Sequence, residues 1–123
     1  MASNKIVRFG PAALSNAAAN VLNPPTLIGG TGLQGTNTNT YLVIRHIRIV
    51  NKTAGAVTFS LYIGLTAGSA AGTEFMGTGT SVAANSAVDW YGMVRLDPAD
   101  FLSGLASALT SLTIEGEGEI GVV

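Results

Sequence analysis

Three strongly patterned segments restrict the fold of this chain more than any other feature of its sequence. Residues 41–50 are rich in β-branched side chains, residues 57–63 place apolar side chains at alternate positions, and residues 87–96 alternate in the same way. A period of two is typical of a β-strand that buries one face. Turns rich in Gly, Asn and Thr separate the segments, which indicates antiparallel connections.

The remaining segments favour strands over helices. Shorter strands are predicted at 5–9, 74–76, 81–84, 111–115 and 119–123. An α/β fold would need helical patterns of about 10–15 residues between the strands, and the two candidates, 12–22 and 98–109, are interrupted by polar residues and glycine. The first is expected to be extended, and the second to form one helical turn at most and then a strand. We therefore predict an all-β fold, a single antiparallel β-sandwich of about eight short strands with a jelly-roll-like arrangement.

The length of 123 residues suits one domain. No linker divides the chain, so the predicted domain is 1–123. Residues 1–37 are interpreted as an N-terminal arm followed by a glycine-rich loop. The N-terminus shows no basic stretch followed by an apolar stretch, so a secretory signal is not expected.

The chain is unusually poor in charge. Charged residues make up 11% of it, against about 25% in a typical soluble domain. Thirteen Thr, nine Ser and eight Asn supply most of the polar character instead. The apolar share of 47% argues against a disordered chain, and the absence of Cys argues against a disulfide scaffold. A net charge of −1 argues against a nucleic-acid partner on electrostatic grounds, and no apolar run reaches the roughly 20 residues of a membrane span.

Two short motifs match known signatures without their structural setting. Residues 30–35 read G-x-G-x-x-G, but the Thr- and Asn-rich segment after them is no helix, so a flexible loop is predicted rather than a dinucleotide site. No cofactor is expected. Asn51-Lys52-Thr53 matches a glycosylation sequon, and we interpret it as a polar turn between two strands.

Residues with catalytic or metal-binding chemistry are few. His46 is the one histidine, and it lacks the nucleophile and acidic partner of a triad as well as the Cys residues of an ordinary zinc site. We predict no enzymatic activity and no metal site. Glu115, Glu117 and Glu119 alternate with glycines and would share one face of a strand, either as a solvated rim or, less favoured, as Ca²⁺ ligands.

A candidate interface is predicted on the two long strands. Arg45, His46 and Arg48 form a positive cluster, and alternation places His46 and Arg48 on the face opposite to Arg45. Trp90 and Tyr91 are consecutive, so one is expected to pack inside and the other to point outward, where an exposed aromatic ring is typical of a contact site.

The same segments carry a resemblance to a known class of protein. The patterns Tyr41–Asn51, Ala56–Gly64 and Ala87–Asp97, with the closing Leu112–Gly116, resemble small β-sandwich virion proteins of tailed bacteriophages. The resemblance covers roughly residues 38–123. It implies a capsid decoration or cement protein that acts at the virion surface, without catalysis or cofactor, after assembly in the host bacterial cytoplasm.

The resemblance also implies partners. These are further copies of the chain, as a homotrimer, and the major capsid protein or another virion protein. The neutral surface suits such a role, because burying Thr, Asn and Ala costs less desolvation than burying charges. The alternative function is a tail-fibre or head–tail β-domain that binds a host glycan or another virion protein. A small enzyme using His46 is the third hypothesis.

Overall fold

The computed structural model describes residues 5–22 and 40–122, and within them the regular structure is entirely β. The β-branched and alternating segments form the longest strands, as their pattern predicts. The eight strands are β1 (Lys5–Ala13), β2 (Ala19–Leu22), β3 (Thr40–Asn51), β4 (Val57–Gly64), β5 (Glu74–Val82), β6 (Ser86–Leu96), β7 (Phe101–Ala106) and β8 (Leu112–Val122).

The strands form two four-stranded antiparallel sheets. One sheet has the order β1-β8-β3-β6 and the other has the order β2-β7-β4-β5. Strand β1 therefore pairs with β8, β2 with β7, β3 with β6 and β4 with β5. This is the strand order of an eight-stranded jelly roll. The predicted fold class, an all-β antiparallel sandwich of jelly-roll type, is confirmed.

Several strand boundaries differ from the sequence prediction. The predicted strands 74–76 and 81–84 are one strand, β5, whose residues between Phe75 and Thr80 bulge out of the ladder with β4. The strands predicted at 111–115 and 119–123 are also one strand, β8, since the Gly–Glu repeat between them stays extended. Residues 14–18 lie outside the strands, and a turn at 97–100 leads into β7, as expected.

The N-terminal part of the chain belongs to the sandwich where the structure describes it. Strand β1 pairs with β8, and β2 pairs with β7. Leu14 and Leu22 are buried in the core. The interpretation of 1–37 as an arm and a loop is thus wrong for 5–22, because these apolar residues complete both sheets. Residues 23–39, with the G-x-G-x-x-G motif, lie outside the described residues, and a single domain over 1–123 stays a prediction.

A bulge at Arg45 shifts the phase of β3 in the middle of the first sheet. Ile44 pairs with Gly118 of β8 and His46 pairs with Glu117, so Arg45 has no partner of its own in that ladder. A bulge inserts one residue and turns the following side chains to the other face. Leu42 and Ile44 therefore point into the core together with Ile47 and Ile49.

This phase shift corrects the expected division of β3. Strict alternation placed His46 and Arg48 on the face opposite to Arg45, but the structure puts all three charged side chains on the outer face of the sheet. The mixed character of both faces in the sequence is thus a sign of the bulge rather than of a strand covered on both sides.

The Gly–Glu repeat of β8 is explained by the space on each side of the sheet. Glu115, Glu117 and Glu119 point outward on one face, as predicted, and Gly116 and Gly118 point inward. A Cβ on Gly116 would overlap the ring of Phe9 and approach the backbone oxygen of His46 to 2.7 Å. Gly116 and Gly118 therefore have no room for a side chain, because neighbouring groups already occupy that space.

The turn after β3 is built around the buried side chain of Asn51, which is 1% exposed. Its Nδ2 donates to the carbonyl oxygens of Gly55 and Val82 at 2.8 and 3.0 Å. Its Oδ1 accepts from the backbone N–H and the hydroxyl of Thr53 at 2.9 and 2.7 Å. The sequon Asn51-Lys52-Thr53 is therefore a structural turn, as predicted, with its amide fully used inside the fold.

Nothing in the described part of the chain is suited to cross a membrane as a helix, since residues 5–22 and 40–122 contain no long apolar helical segment.

Candidate functional site

The outer face of the β1-β8-β3-β6 sheet gathers most of the charged side chains. We call this surface the outer face, and it is formed by the outward residues of those four strands. Each strand contributes charge because the period of two leaves its polar residues on the side away from the core. Its charged members are Arg8, Arg45, His46, Arg48, Asp89, Arg95, Glu115, Glu117 and Glu119.

His46 lies at the centre of this face between two carboxylates. Its Nε2 is 2.7 Å from Oδ1 of Asp89 on β6, and its Nδ1 is 2.8 Å from Oε1 of Glu117 on β8. The imidazole is 14% exposed and stacks on the Tyr91 ring, with centroids 4.6 Å apart and an interplanar angle of 18°. Two acceptors on opposite sides favour the ring with both nitrogens protonated. The hydrogen bond to Asp89 is the largest cause that raises the pKa of His46, with Glu117 acting in the same direction against partial burial.

Asp89 also accepts hydrogen bonds from Arg48. Nε of Arg48 donates to Oδ1 at 2.8 Å and an Nη donates to Oδ2 at 3.2 Å. The guanidinium, and next the His46 hydrogen bond, lower the pKa of Asp89 to about 2, and the pair raises the pKa of Arg48. This side-on arrangement holds both oxygens of the carboxylate and so fixes the direction in which His46 points.

The remaining ion pairs of the outer face join neighbouring segments within the chain. Arg45 bonds Glu119 at 2.8 Å, and Nε of Arg95 donates to Asp97 at 2.6 Å. The sequence analysis treated the positive cluster on β3 and the glutamates of β8 as two separate groups of charges. The structure instead brings them together in adjacent strands, where they largely neutralise each other.

Trp90 and Tyr91 divide as predicted between the two sides of β6. Trp90 packs against the core, and its ring meets Phe75 edge-on at a centroid distance of 5.1 Å. Tyr91 is 71% exposed on the outer face. Gly92 has no side chain, and this leaves room for the indole ring of Trp90 on the inner side of β6. A Cβ at Gly92 would lie 2.6 Å from that ring.

The structure thus brings four of the five predicted interface residues onto one surface. Arg45, His46, Arg48 and Tyr91 share the outer face, and Trp90 lies on its inner side. Sequence reasoning missed Asp89 and Glu117 as the partners of His46. The alternation placed Asp89 on the Tyr91 face of its strand, but the pairing of β3 with both β6 and β8 depends on the jelly-roll order and the bulge.

Three side chains of the outer face have a spacing that could hold a metal ion. One ligand atom each from His46, Glu115 and Glu117 lies within 4.8 Å of the others. Nδ1 of His46 is within hydrogen-bonding distance of Oε1 of Glu117, at 2.8 Å. Glu117 pairs with His46 and Glu119 pairs with Arg45, and both side chains stay partly exposed, which agrees with the expected solvated rim.

Apolar side chains are exposed beside these ion pairs. Ile6 on β1 is 82% exposed and Met93 on β6 is 67% exposed, in addition to Tyr91. Ile6 borders an open hollow of about 320 Å³ that Arg45, Glu117 and Glu119 also line. The outer face therefore combines internally paired charges with apolar groups that contact water.

The His46 cluster is expected to make stability depend on pH in opposite directions at the two ends of the range. Because the pKa of His46 is raised in the folded state, its contribution is complete below the ordinary value of 6.5 and is lost as pH rises through the folded-state pKa. Because the pKa of Asp89 is lowered from 3.8 to about 2, its contribution is lost as pH falls through that interval.

Urea unfolding between pH 2 and pH 9 measures both effects. The His46→Gln variant keeps a polar side chain of similar size that does not titrate. Its free energy of unfolding is expected to converge on that of the parent protein at high pH and to fall below it near pH 5. Curves that run parallel across the whole range would contradict the assignment.

Comparisons with known proteins give a likeness in structure alone. The sequence matches no protein-family model and no curated protein. A Bacillus endospore appendage protein, from a family of disulfide-linked pili, is 15% identical at a TM-score of 0.47, over 98% of this chain and 86% of that one. A chain of infectious bursal disease virus, Gx strain, is 7% identical at a TM-score of 0.47, over 97% of this chain and 30% of that one. The chain is thus similar to a pilus protein and to part of a viral particle protein, and these values define no family.

Proposed function

We propose that the chain is a bacteriophage virion structural protein, of the capsid decoration or cement type. The outer face carries this proposal, because large apolar side chains are exposed on it while most of its charged side chains are paired within the chain. A surface of this kind is buried at lower cost than one with unpaired ions. Aromatic and methionine side chains such as Tyr91 and Met93 are also enriched at the centres of protein interfaces.

The proposed mechanism is mechanical. Many copies would bridge neighbouring major capsid subunits at the virion surface and stabilise the shell, because a protein that binds only the assembled state shifts the equilibrium toward it. The resemblance in sequence supports this role, a homotrimeric state and assembly in the host bacterial cytoplasm. The jelly-roll topology agrees with it, since this fold recurs in capsid domains, although it also serves lectins and enzymes.

The contact is tested by substituting the exposed aromatic residue of the outer face. Tyr91→Ala is expected to weaken binding to capsids about 30-fold, as truncation of a central interface residue typically costs about 2 kcal/mol. Co-sedimentation of the purified protein with capsids that lack it measures the change. Leu65→Ala is the matched control, because Leu65 is 81% exposed in the loop after β4 and lies off the outer face.

Two outcomes would contradict the proposal. A parent protein that neither oligomerises nor sediments with the particles would remove the capsid role. Equal losses for Tyr91→Ala and Leu65→Ala would move the contact away from the outer face.

One observation favours the alternative, a tail-fibre or head–tail domain that binds a glycan. The Tyr91 ring is 71% exposed and is held flat against His46, and a fixed, exposed aromatic ring suits stacking on a sugar ring. Binding on a glycan array that is lost in Tyr91→Ala, with no binding to capsids, would favour this function over the first.

A further inference from the structure

Among the strands in residues 5–22 and 40–122, β6 is an edge of the first sheet, because it has β3 on one side and no described strand on the other. It has eleven residues, of which Tyr91, Gly92 and Met93 are consecutive exposed positions at its centre. It contains no proline or lysine, the residues that commonly protect an edge from pairing with another chain. Within the part of the chain that the structure describes, no strand lies along the outer side of β6, so a further strand can pair with its backbone there.

The sequence of β6 is self-complementary around Gly92. When a second β6 runs antiparallel with Gly92 opposite Gly92, Asp89 lies opposite Arg95 and Tyr91 lies opposite Met93. On the inner side, Trp90 lies opposite Val94. Every pair thus joins opposite charges or two apolar groups, and directly opposite pairs are the contacts that stabilise a sheet.

The observed directions of the side chains fit this register. The inward residues Trp90 and Val94 pack against the core, and Tyr91 and Met93 are exposed outward, so side chains alternate regularly across Gly92. In the ladder with β3, Gly92 and Met93 of β6 together lie opposite the single residue Arg45, and the inward and outward positions of β6 still alternate across this irregularity.

Arg95, the positive end of the register, has hydrogen-bond donors to spare. Nε of Arg95 bonds Asp97 within the chain, and its guanidinium lies 4.5 Å from the Tyr41 ring centroid. Its other N–H groups can reach a further carboxylate, since a guanidinium carries five donors.

We propose that two copies of this chain associate through their β6 edges, in an antiparallel, two-fold pairing centred on Gly92. The pairing joins the two first sheets into one continuous eight-stranded sheet and places Tyr91 of each copy beside Met93 of the other on the outer face. It belongs to the isolated chain and needs no capsid, so its failure and the failure of capsid binding are separate results. A two-fold contact does not generate a trimer, so a homotrimer would use another surface, and both contacts together would give a hexamer.

The charge pairs at the two ends of the register provide the first test. Arg95→Glu places Glu opposite Asp89 twice in each dimer and is expected to weaken association at least tenfold by sedimentation equilibrium. Arg45→Glu is the matched control, because Arg45 is similarly exposed on the same face and also loses an intrachain partner. Circular dichroism establishes that both variants fold.

The register provides the second test, on a background without cysteine. The Tyr91→Cys and Met93→Cys variants are expected to form a disulfide when mixed and oxidised, because their Cβ atoms lie opposite each other across the two copies. Each variant alone should crosslink much less, since the same residue in the two copies is offset diagonally by roughly 7–8 Å.

Each outcome decides the proposal. Even-numbered assemblies, loss of association in Arg95→Glu but not in Arg45→Glu, and crosslinking in the mixture support it. A monomer at high micromolar concentration, a trimer with no larger species, equal effects of the two charge reversals, or equal crosslinking of the single variants would each overturn it.

Discussion

Replacing Gly118 with alanine is expected to lower the free energy of unfolding by about 3 kcal/mol, at the upper end of the usual cost of overpacking. Gly118 lies in β8 opposite Ile44 of β3. A Cβ there would overlap the carbonyl oxygen of Val43 and approach the Cα of Ile44 to 2.9 Å. These are backbone atoms held in a ladder, so they cannot rotate away as a side chain would. For a domain of this size, the loss corresponds to a fall in Tm of roughly 10 °C.

Gly55→Ala is the control for this prediction, because a Cβ at Gly55 meets nothing within 4 Å. Its effect on stability is expected to stay within about 0.5 kcal/mol, as for most surface substitutions. Thermal and urea unfolding of the two variants give the comparison. If Gly118→Ala were as stable as Gly55→Ala, β3 and β8 would have to lie farther apart at the bulge than the structure places them.

The fold class could be predicted from the sequence because local patterns determine it. The β-branched run of β3 predicts a strand, and so does the alternation of apolar residues in β4 and β6. The row of Glu115, Glu117 and Glu119 on one face also follows from a period of two, provided that the Gly–Glu repeat is extended. Features of this kind depend on the order of residues within one strand.

The centre of the candidate site could not be predicted because it depends on pairing between distant strands. His46 lies 43 residues from Asp89 and 71 residues from Glu117 along the chain. Which residues meet depends on the strand order of the jelly roll and on the register after Arg45. The bulge there changes the face of every later residue of β3, and a mixed apolar and charged pattern is its one trace in the sequence.

The N-terminal interval shows a second reason for error. Its segment 12–22 is rich in alanine and carries Asn and Ser, so its intrinsic preference is weak. Tertiary contacts decide its structure, since Leu14 and Leu22 are buried and β2 pairs with β7. An edge strand with few large side chains gives little signal until its partner strand is known.

Replacing Asn51 with alanine is expected to lower the free energy of unfolding by about 3 kcal/mol. The substitution removes an amide that satisfies the backbone of three other residues, Thr53, Gly55 and Val82, and a buried group that loses its hydrogen bond costs about 1–3 kcal/mol. The bond to Val82 joins the turn after β3 to the end of β5, in the other sheet. The loss therefore affects the connection between the sheets as well as the turn.

Two further variants separate the buried amide from the turn around it. Asn16→Ala changes an exposed asparagine outside the strands and is expected to be neutral within about 0.5 kcal/mol. Thr53→Ala removes the hydroxyl that donates to Asn51 and leaves the Val82 contact, so its cost is expected to be about 1 kcal/mol. Urea unfolding monitored by Trp90 fluorescence ranks the three variants. If Asn51→Ala cost no more than Thr53→Ala, the bond to Val82 would contribute little, and the two sheets would be held at this end by apolar packing alone.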